Sequence, residues 1–211
     1  MYNFTLQIPT KIHFGKDTIS YLSELKEYGD KVLLVYGGGS IKKNGIYDTA
    51  MQLLKDAALT VFELSGVEPN PRIETVRKGV AICKEEGIDM VLAIGGGSTI
   101  DCSKVIAAGA KYDGDAWDLV LDATKIKAAL PIFDILTLSA TGTEMDPFAV
   151  ISDLTKNEKW GTGSPYMVPT MSILNPEYTY SVSKKQTAAG TADMMSHTME
   201  NYFSMENADC Q

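Results

Sequence analysis

Two residues near the end of the chain carry side chains that bind metal ions. Asp193 and His197 stand four apart in GTADMMSHTMENYF (190–203). On a helix that spacing puts both on one face, where a carboxylate oxygen and an imidazole nitrogen can meet a single cation. The spacing fits equally an exposed pair that does no more than support its helix. The only other histidine, His13, sits in an alternating N-terminal stretch and reads as a structural side chain.

A second kind of chemistry lies in a repeated glycine loop. VLLVYGGGS (32–40) and VLAIGGGSTID (91–101) each place three glycines and a serine after an apolar run. At the carboxyl end of a buried strand, glycines let the backbone approach a phosphate, and the following helix offers free N–H groups and a positive dipole end. A single loop of this kind also fits a plain need for a left-handed turn; the repeat favours a ligand. In the second loop, Ser98 is expected as a helix N-cap with Asp101 three residues on, which makes it the better pyrophosphate cradle. The first loop has no acid to hold a ribose 2′-hydroxyl. Gly38, Gly39 and Ser40 stand there instead, followed by Lys42 and Lys43, which favours NADP over NAD, with NAD still open. Neither loop is G-x-G-x-x-G. A third loop, LTLSATGTEMD (136–146), gathers the hydroxyls of Thr137, Ser139, Thr141 and Thr143 around Gly142, suited to a phosphate or a carboxamide, or to capping a helix.

These residues need elements to hold them. MYNFTLQIPTKIHFG alternates like a strand, and DTISYLSELKEYG carries a helical stripe. Apolar runs at 31–36, 60–64 and 89–94 then alternate with amphipathic segments, and 131–138 and 171–176 add further strands. Strands apolar on both sides imply a parallel sheet covered by helices on both faces. FAVISDLTKNEKWGTG reads as a β-hairpin projecting from it. Ser183 and Gln186 form a capping box before a long helix, with a stripe of Ala188, Ala192, Met195, Met199 and Phe203. The boundary falls there, giving an α/β unit over 1–182 and the start of a helical unit over 183–211.

Composition narrows the partners. A net charge of −8 without a long basic cluster argues against nucleic acid and anionic membranes. No apolar run reaches the roughly 18 residues of a membrane helix. Three scattered cysteines without C-x-x-C fit a reducing cytoplasm.

YGGGS, EPNP (68–71), IGGGSTIDCSK, TLSATGTEMD, AVISD and GTADMMSHTMENY, in this order, resemble the iron-containing (group III) alcohol dehydrogenases, especially their NADP-dependent butanol dehydrogenase branch. The resemblance implies a Rossmann-like cofactor domain followed by the first helix of a truncated all-α domain. It implies Gly38, Gly39 and Ser40 on the 2′-phosphate side, Asn70 by the adenine, and Gly96, Gly97 and Ser98 with Asp101 at the pyrophosphate. Thr137, Ser139, Thr141, Val150 and Lys159 would surround the nicotinamide half, and Tyr178 would line its cleft. Asp193 and His197 match two of four ligands to Fe²⁺ or Zn²⁺, with two later histidines lying in the domain that is absent. The substrate implied is a primary alcohol or its aldehyde, the assembly a homodimer or higher oligomer, and no residue stands out as a general base. A noncatalytic nucleotide-binding module and a polyol (glycerol) dehydrogenase or dehydroquinate synthase type of relative are the alternatives.

Overall fold

KVLLVY and MVLAIG have no polar alternate, so neither can leave a face in water, and both become strands buried on each side. The computed structural model describes residues 7–203. In chain order it has β1 (Lys11–Phe14), a 3₁₀ helix (Thr18–Tyr28), β2 (Lys31–Tyr36), α1 (Ser40–Lys43), α2 (Ile46–Asp56), β3 (Thr60–Leu64), α3 (Ile73–Glu86) and β4 (Met90–Gly95). There follow α4 (Gly97–Gly109), α5 (Ala116–Leu121), β5 (Ile132–Leu136), the hairpin β6 (Phe148–Asp153) and β7 (Glu158–Gly163), β8 (Met171–Leu174) and α6 (Lys184–Tyr202). Six strands form one parallel sheet in the order β1-β8-β5-β4-β2-β3, and β6-β7 is a separate antiparallel pair.

Residue parity divides the core between the two faces of the sheet. Leu33, Val35 and Val91 join α3, α4 and α5 on one side through Val76, Val105, Ile106 and Trp117. Val32, Leu34, Met90 and Leu92 join the 3₁₀ helix and α2 on the other through Leu22, Leu25, Ala50 and Leu54. α4 is buried almost all round, because small residues let α3 approach it: a Cβ on Gly79 would run into Ile106 Cδ1.

Several expectations shift. Residues 1–6 of the opening alternation lie outside the described residues, and the strand itself is only Lys11–Phe14. The last strand stops at Leu174, since Asn175 turns to cap a 3₁₀ turn at Pro176 by accepting from the Glu177 N–H. The six-residue α5 was not expected, being too short to show a helical period.

Two buried polar side chains fix the loop that follows β5. Lys104 of α4 has no exposed surface, and its ammonium lies within 2.9 Å of Thr143 Oγ1, the Asp146 carbonyl, Asp146 Oδ1 and the Phe148 carbonyl. Asp134 of β5 is buried beside Ser172 of β8, whose Oγ lies 2.6 Å from Asp134 Oδ2 and 2.7 Å from the Glu144 carbonyl. A hydroxyl has one proton and both neighbours would be acceptors. Both bonds coexist only if the Asp134 carboxyl is protonated and donates to Ser172 Oγ. Burial, the largest influence, pushes its pKa well above the usual carboxylate range, consistent with that proton.

Lys104→Met is expected to destabilise the fold by about 2–4 kcal/mol in denaturant titrations, because it strands the Asp146 carboxylate and two carbonyls. For Asp134 the folded pKa is raised, so stability present at low pH is lost as pH climbs above about 4, where the unfolded carboxyl ionises and the folded one does not. Asp134→Asn, which mimics the neutral acid, is therefore expected to gain on the wild type by up to about 1.4 kcal/mol per pH unit above pH 4, as long as the folded carboxyl keeps its proton. Urea unfolding at several pH values measures this; a constant difference would mean that Asp134 is ionised in the fold.

Candidate functional site

The strand order locates the site. From β2 the chain crosses outward to β3, and from β4 it crosses the opposite way to β5. The carboxyl ends of β2 and β4 therefore flank the point where connections diverge, the crevice in which open parallel sheets hold ligands. Both glycine loops emerge there.

Gly39 opens α1 with φ +93°, a left-handed conformation suited to glycine, while Gly38 has open space around it and no such constraint. The second loop turns at Gly96, whose extended backbone (φ −92°, ψ −171°) is the N-cap of α4. This corrects Ser98 as the cap: the helix already starts at Gly97, and Ser98 Oγ accepts from the Asn70 N–H at 3.3 Å instead. No side chain caps α4, which leaves its first-turn amides for a ligand. A Cβ on Gly97 would sit 3.3 Å from Thr141 Oγ1, so the glycine also brings the third loop close.

Asn70, at φ +55°, joins three segments. Its N–H reaches Ser98, and its side-chain oxygen accepts from Lys159 Nζ on the hairpin at 2.8 Å. Asp101 is a strut between α4 and the hairpin. Oδ1 accepts from the Thr143 hydroxyl at 2.7 Å and Oδ2 from the Val150 N–H at 2.9 Å. Burial raises its pKa above the ordinary carboxylate value, against those two hydrogen bonds, which lower it.

Part of the expected set falls around three cavities, whereas Gly38, Gly39, Asn70, Gly97, Ser98, Lys159 and Asp193 line none of them. Ser40, Gly96 and Thr137 line one of about 290 Å³ with Ser183 and Gln186 from the start of α6. Asp101, Thr141, Val150 and His197 line one of about 500 Å³, with Glu200. Ser139 faces a third, of about 140 Å³, together with Phe14, Glu144 and Leu174. Tyr178 lines none of these; it packs against the core on the α2 side of the sheet, and burial raises its pKa.

Ser183 caps α6 as expected, its Oγ accepting from the Gln186 N–H at 3.3 Å. On that helix His197 Nε2 lies 3.7 Å from Asp193 Oδ1, with both side chains nearly half exposed. The pair shares a face and has the donor chemistry for half a tetrahedral shell. Among the described residues no group of three or more His, Cys, Asp or Glu could hold an ion. Two clusters escaped the sequence reading. Lys104 had a signal, a cation three residues after Asp101 in a helix with no other charged residue. Tyr36, Tyr47 and Glu63 had none, because they meet only through tertiary packing: both tyrosine hydroxyls donate to Glu63, and Lys42 sits over both rings.

Comparison with known proteins identifies the family and the fold. The NADH-dependent butanol dehydrogenase A of Clostridium acetobutylicum is 62% identical over 205 residues, covering 97% of this chain and 53% of that protein. The NADPH-dependent aldehyde reductase YqhD of Escherichia coli is 42% identical over 205 residues, covering 96% and 52%. The crystal structure of NADH-dependent butanol dehydrogenase A from Thermotoga maritima superposes with a TM-score of 0.93 at 47% identity, over 96% of this chain and 52% of that one. The chain thus spans about half the length of the relatives it matches. A family profile described as "Iron-containing alcohol dehydrogenase" matches residues 9–176, and the chain belongs to that family.

Proposed function

We propose that this chain supplies the cofactor-binding part of a metal-dependent dehydrogenase that moves hydride between NADP(H) and a primary alcohol or its aldehyde, of the butanol and butyraldehyde kind. The observation that carries this reading is the pair of glycine loops at the divergence point, with an uncapped α4 between them and the third loop. The proposed division is an α/β cofactor unit over 1–182 and a helical metal-binding unit beginning at 183. Among the described residues no helix is long and apolar enough to cross a membrane. A cytoplasmic homodimer or higher oligomer is part of the proposal.

The residues divide the work. The first-turn amides of α4 at Gly97 and Ser98 would receive the pyrophosphate, while Gly38, Gly39 and Ser40 would take the adenosine end with Asn70 beside it. Lys159, held by Asn70, and Val150, held by Asp101, would form a fixed wall for the nicotinamide half, with Thr137, Ser139 and Thr141 on the loop opposite. Asp193 and His197 would hold Fe²⁺ or Zn²⁺ with ligands from outside the described residues; such an ion lowers the pKa of a bound alcohol and polarises an aldehyde carbonyl.

The cofactor preference rests on the first loop. No acid follows β2, so nothing there accepts a ribose 2′-hydroxyl or repels a 2′-phosphate. Relatives named for NADH at 62% identity and for NADPH at 42% differ in this respect, and the preference for NADP is drawn from the loop alone.

Fluorescence titration of the 211-residue chain is expected to give tighter binding of NADPH than of NADH; equal or tighter NADH binding would refute the preference. Gly38→Asp is expected to move the ratio toward NADH by on the order of 1–3 kcal/mol, through repulsion of the phosphate and a new ribose hydrogen bond. Gly38 is chosen because a side chain at Gly39 would be strained at φ +93°. With Zn²⁺ or anaerobic Fe²⁺, NADP⁺ and butanol, this chain alone is expected to produce no NADPH absorbance, because Asp193 and His197 leave an ion largely hydrated. Turnover lost in Asp193→Ala would instead place the whole ligand set within these residues.

A further inference from the structure

The carboxylate of Glu63 organises a cluster beside the first glycine loop. Its Oε2 accepts from the Tyr36 hydroxyl at 2.7 Å and its Oε1 from the Tyr47 hydroxyl at 2.9 Å. The two rings meet edge to face, 5.7 Å apart, and the Lys42 ammonium lies 4.3 Å from the centre of the Tyr47 ring and 5.0 Å from that of Tyr36. Tyr36 ends β2, and Lys42 belongs to α1, the short helix that Gly39 opens. Glu63 comes from the neighbouring strand β3. The cluster therefore borders the loop proposed for the adenosine end, and it contains a cation and an anion whose charges offset one another.

A 2′-phosphate is recognised by cations free to approach it. Lys42 is the first lysine after the loop, yet its ammonium is drawn over two electron-rich ring faces that are themselves anchored to a carboxylate. The contact with Tyr36 is the largest of the influences that raise the Lys42 pKa, with the charge of Glu63 acting in the same sense.

We infer that Glu63 is a specificity-determining residue, which weakens discrimination for the 2′-phosphate by holding Lys42 on the Tyr36–Tyr47 pair. The inference rests on the proposed assignment of the first glycine loop to the adenosine end of the cofactor. The negative charge missing at the end of β2 is thus supplied from β3, acting through Lys42 and not by a direct bond to the ribose.

The test is a double-mutant cycle on the 211-residue chain, with dissociation constants of NADPH and NADH measured by fluorescence for wild type, Glu63→Gln, Lys42→Met and the double variant. Glu63 is exposed and Gln keeps an acceptor for one tyrosine, so melting temperatures close to wild type are expected. Glu63→Gln is expected to raise NADPH affinity on the order of threefold to fivefold with NADH unchanged, the range of a partly exposed charge pair. In the Lys42→Met background that gain should vanish. A merely structural cluster would weaken both nucleotides by the same factor, and that outcome overturns the inference, as does an unchanged NADPH-to-NADH ratio or a gain that survives in the double variant. A wild type that binds neither nucleotide overturns the groove assignment and this inference together, whereas a wild type that favours NADH, with the ratio still moved by Glu63→Gln, overturns only the NADP preference.

Discussion

An ammonium group cut off from water must find acceptors for its protons, and at Lys104 this requirement shapes the whole side of the molecule beyond β5. The acceptors are not on α4 itself. They are Thr143, Asp146 and the carbonyls of Asp146 and Phe148, so the loop is tied down across the middle of α4. Thr143, accepting from Lys104, donates its own hydroxyl in a hydrogen bond to Asp101, and Asp101 accepts from the Val150 N–H. The hairpin is thereby fixed to the helix that starts at the second glycine loop. In the proposed function this backbone would hold two halves of a cofactor at a set separation, which needs a rigid reference of this kind, and here that reference is an ion held inside the protein.

The parts legible in the sequence are those governed by short-range rules. Uninterrupted apolar runs gave β2 and β4 within a residue, since burial on both faces leaves no room for a polar alternate, and β3 was legible as a short strand although it lies at the sheet edge with Thr60 and Glu63 exposed. The capping box at Ser183 was visible because its partner is three residues away. What could not be read is what depends on distant partners. Ser98 has the composition of an N-cap, but the turn occurs earlier, at a glycine, and the serine is free to bind Asn70 from a segment 28 residues before it. Asp101 was read as a pyrophosphate-side acid, whereas both its oxygens are occupied by segments more than 40 residues later. Lys42 reads in the sequence as a cation following the first loop, and only the fold shows the two rings and the carboxylate beside it.

α6 departs from the rest of the chain in how it is held. Its Met195 and Met199, and Phe203 just past its end, stay exposed, in contrast to the nearly complete burial of α4. Gly190 brings it close to the third loop, where a Cβ would sit 3.1 Å from the Ser139 carbonyl. Residues that would bind an ion and residues that would bind a cofactor therefore share one cavity wall, with His197 on one element and Val150 on another. Such a division lets each half of a site be adjusted by its own element.

The pairing of β1 with β8 bears on how the molecule is made. Lys11 sits opposite Met171, so 160 residues separate two strands that lie side by side. On a ribosome β1 emerges well before the neighbour it pairs with. Sheet growth can proceed from β2 through β5 as each helix folds back, while the N-terminal segment waits with its ladder groups open. β1 is thus locked only after β8 has been made, and its brevity, four residues with a lysine among them, limits the chance that it pairs with another nascent chain during the wait.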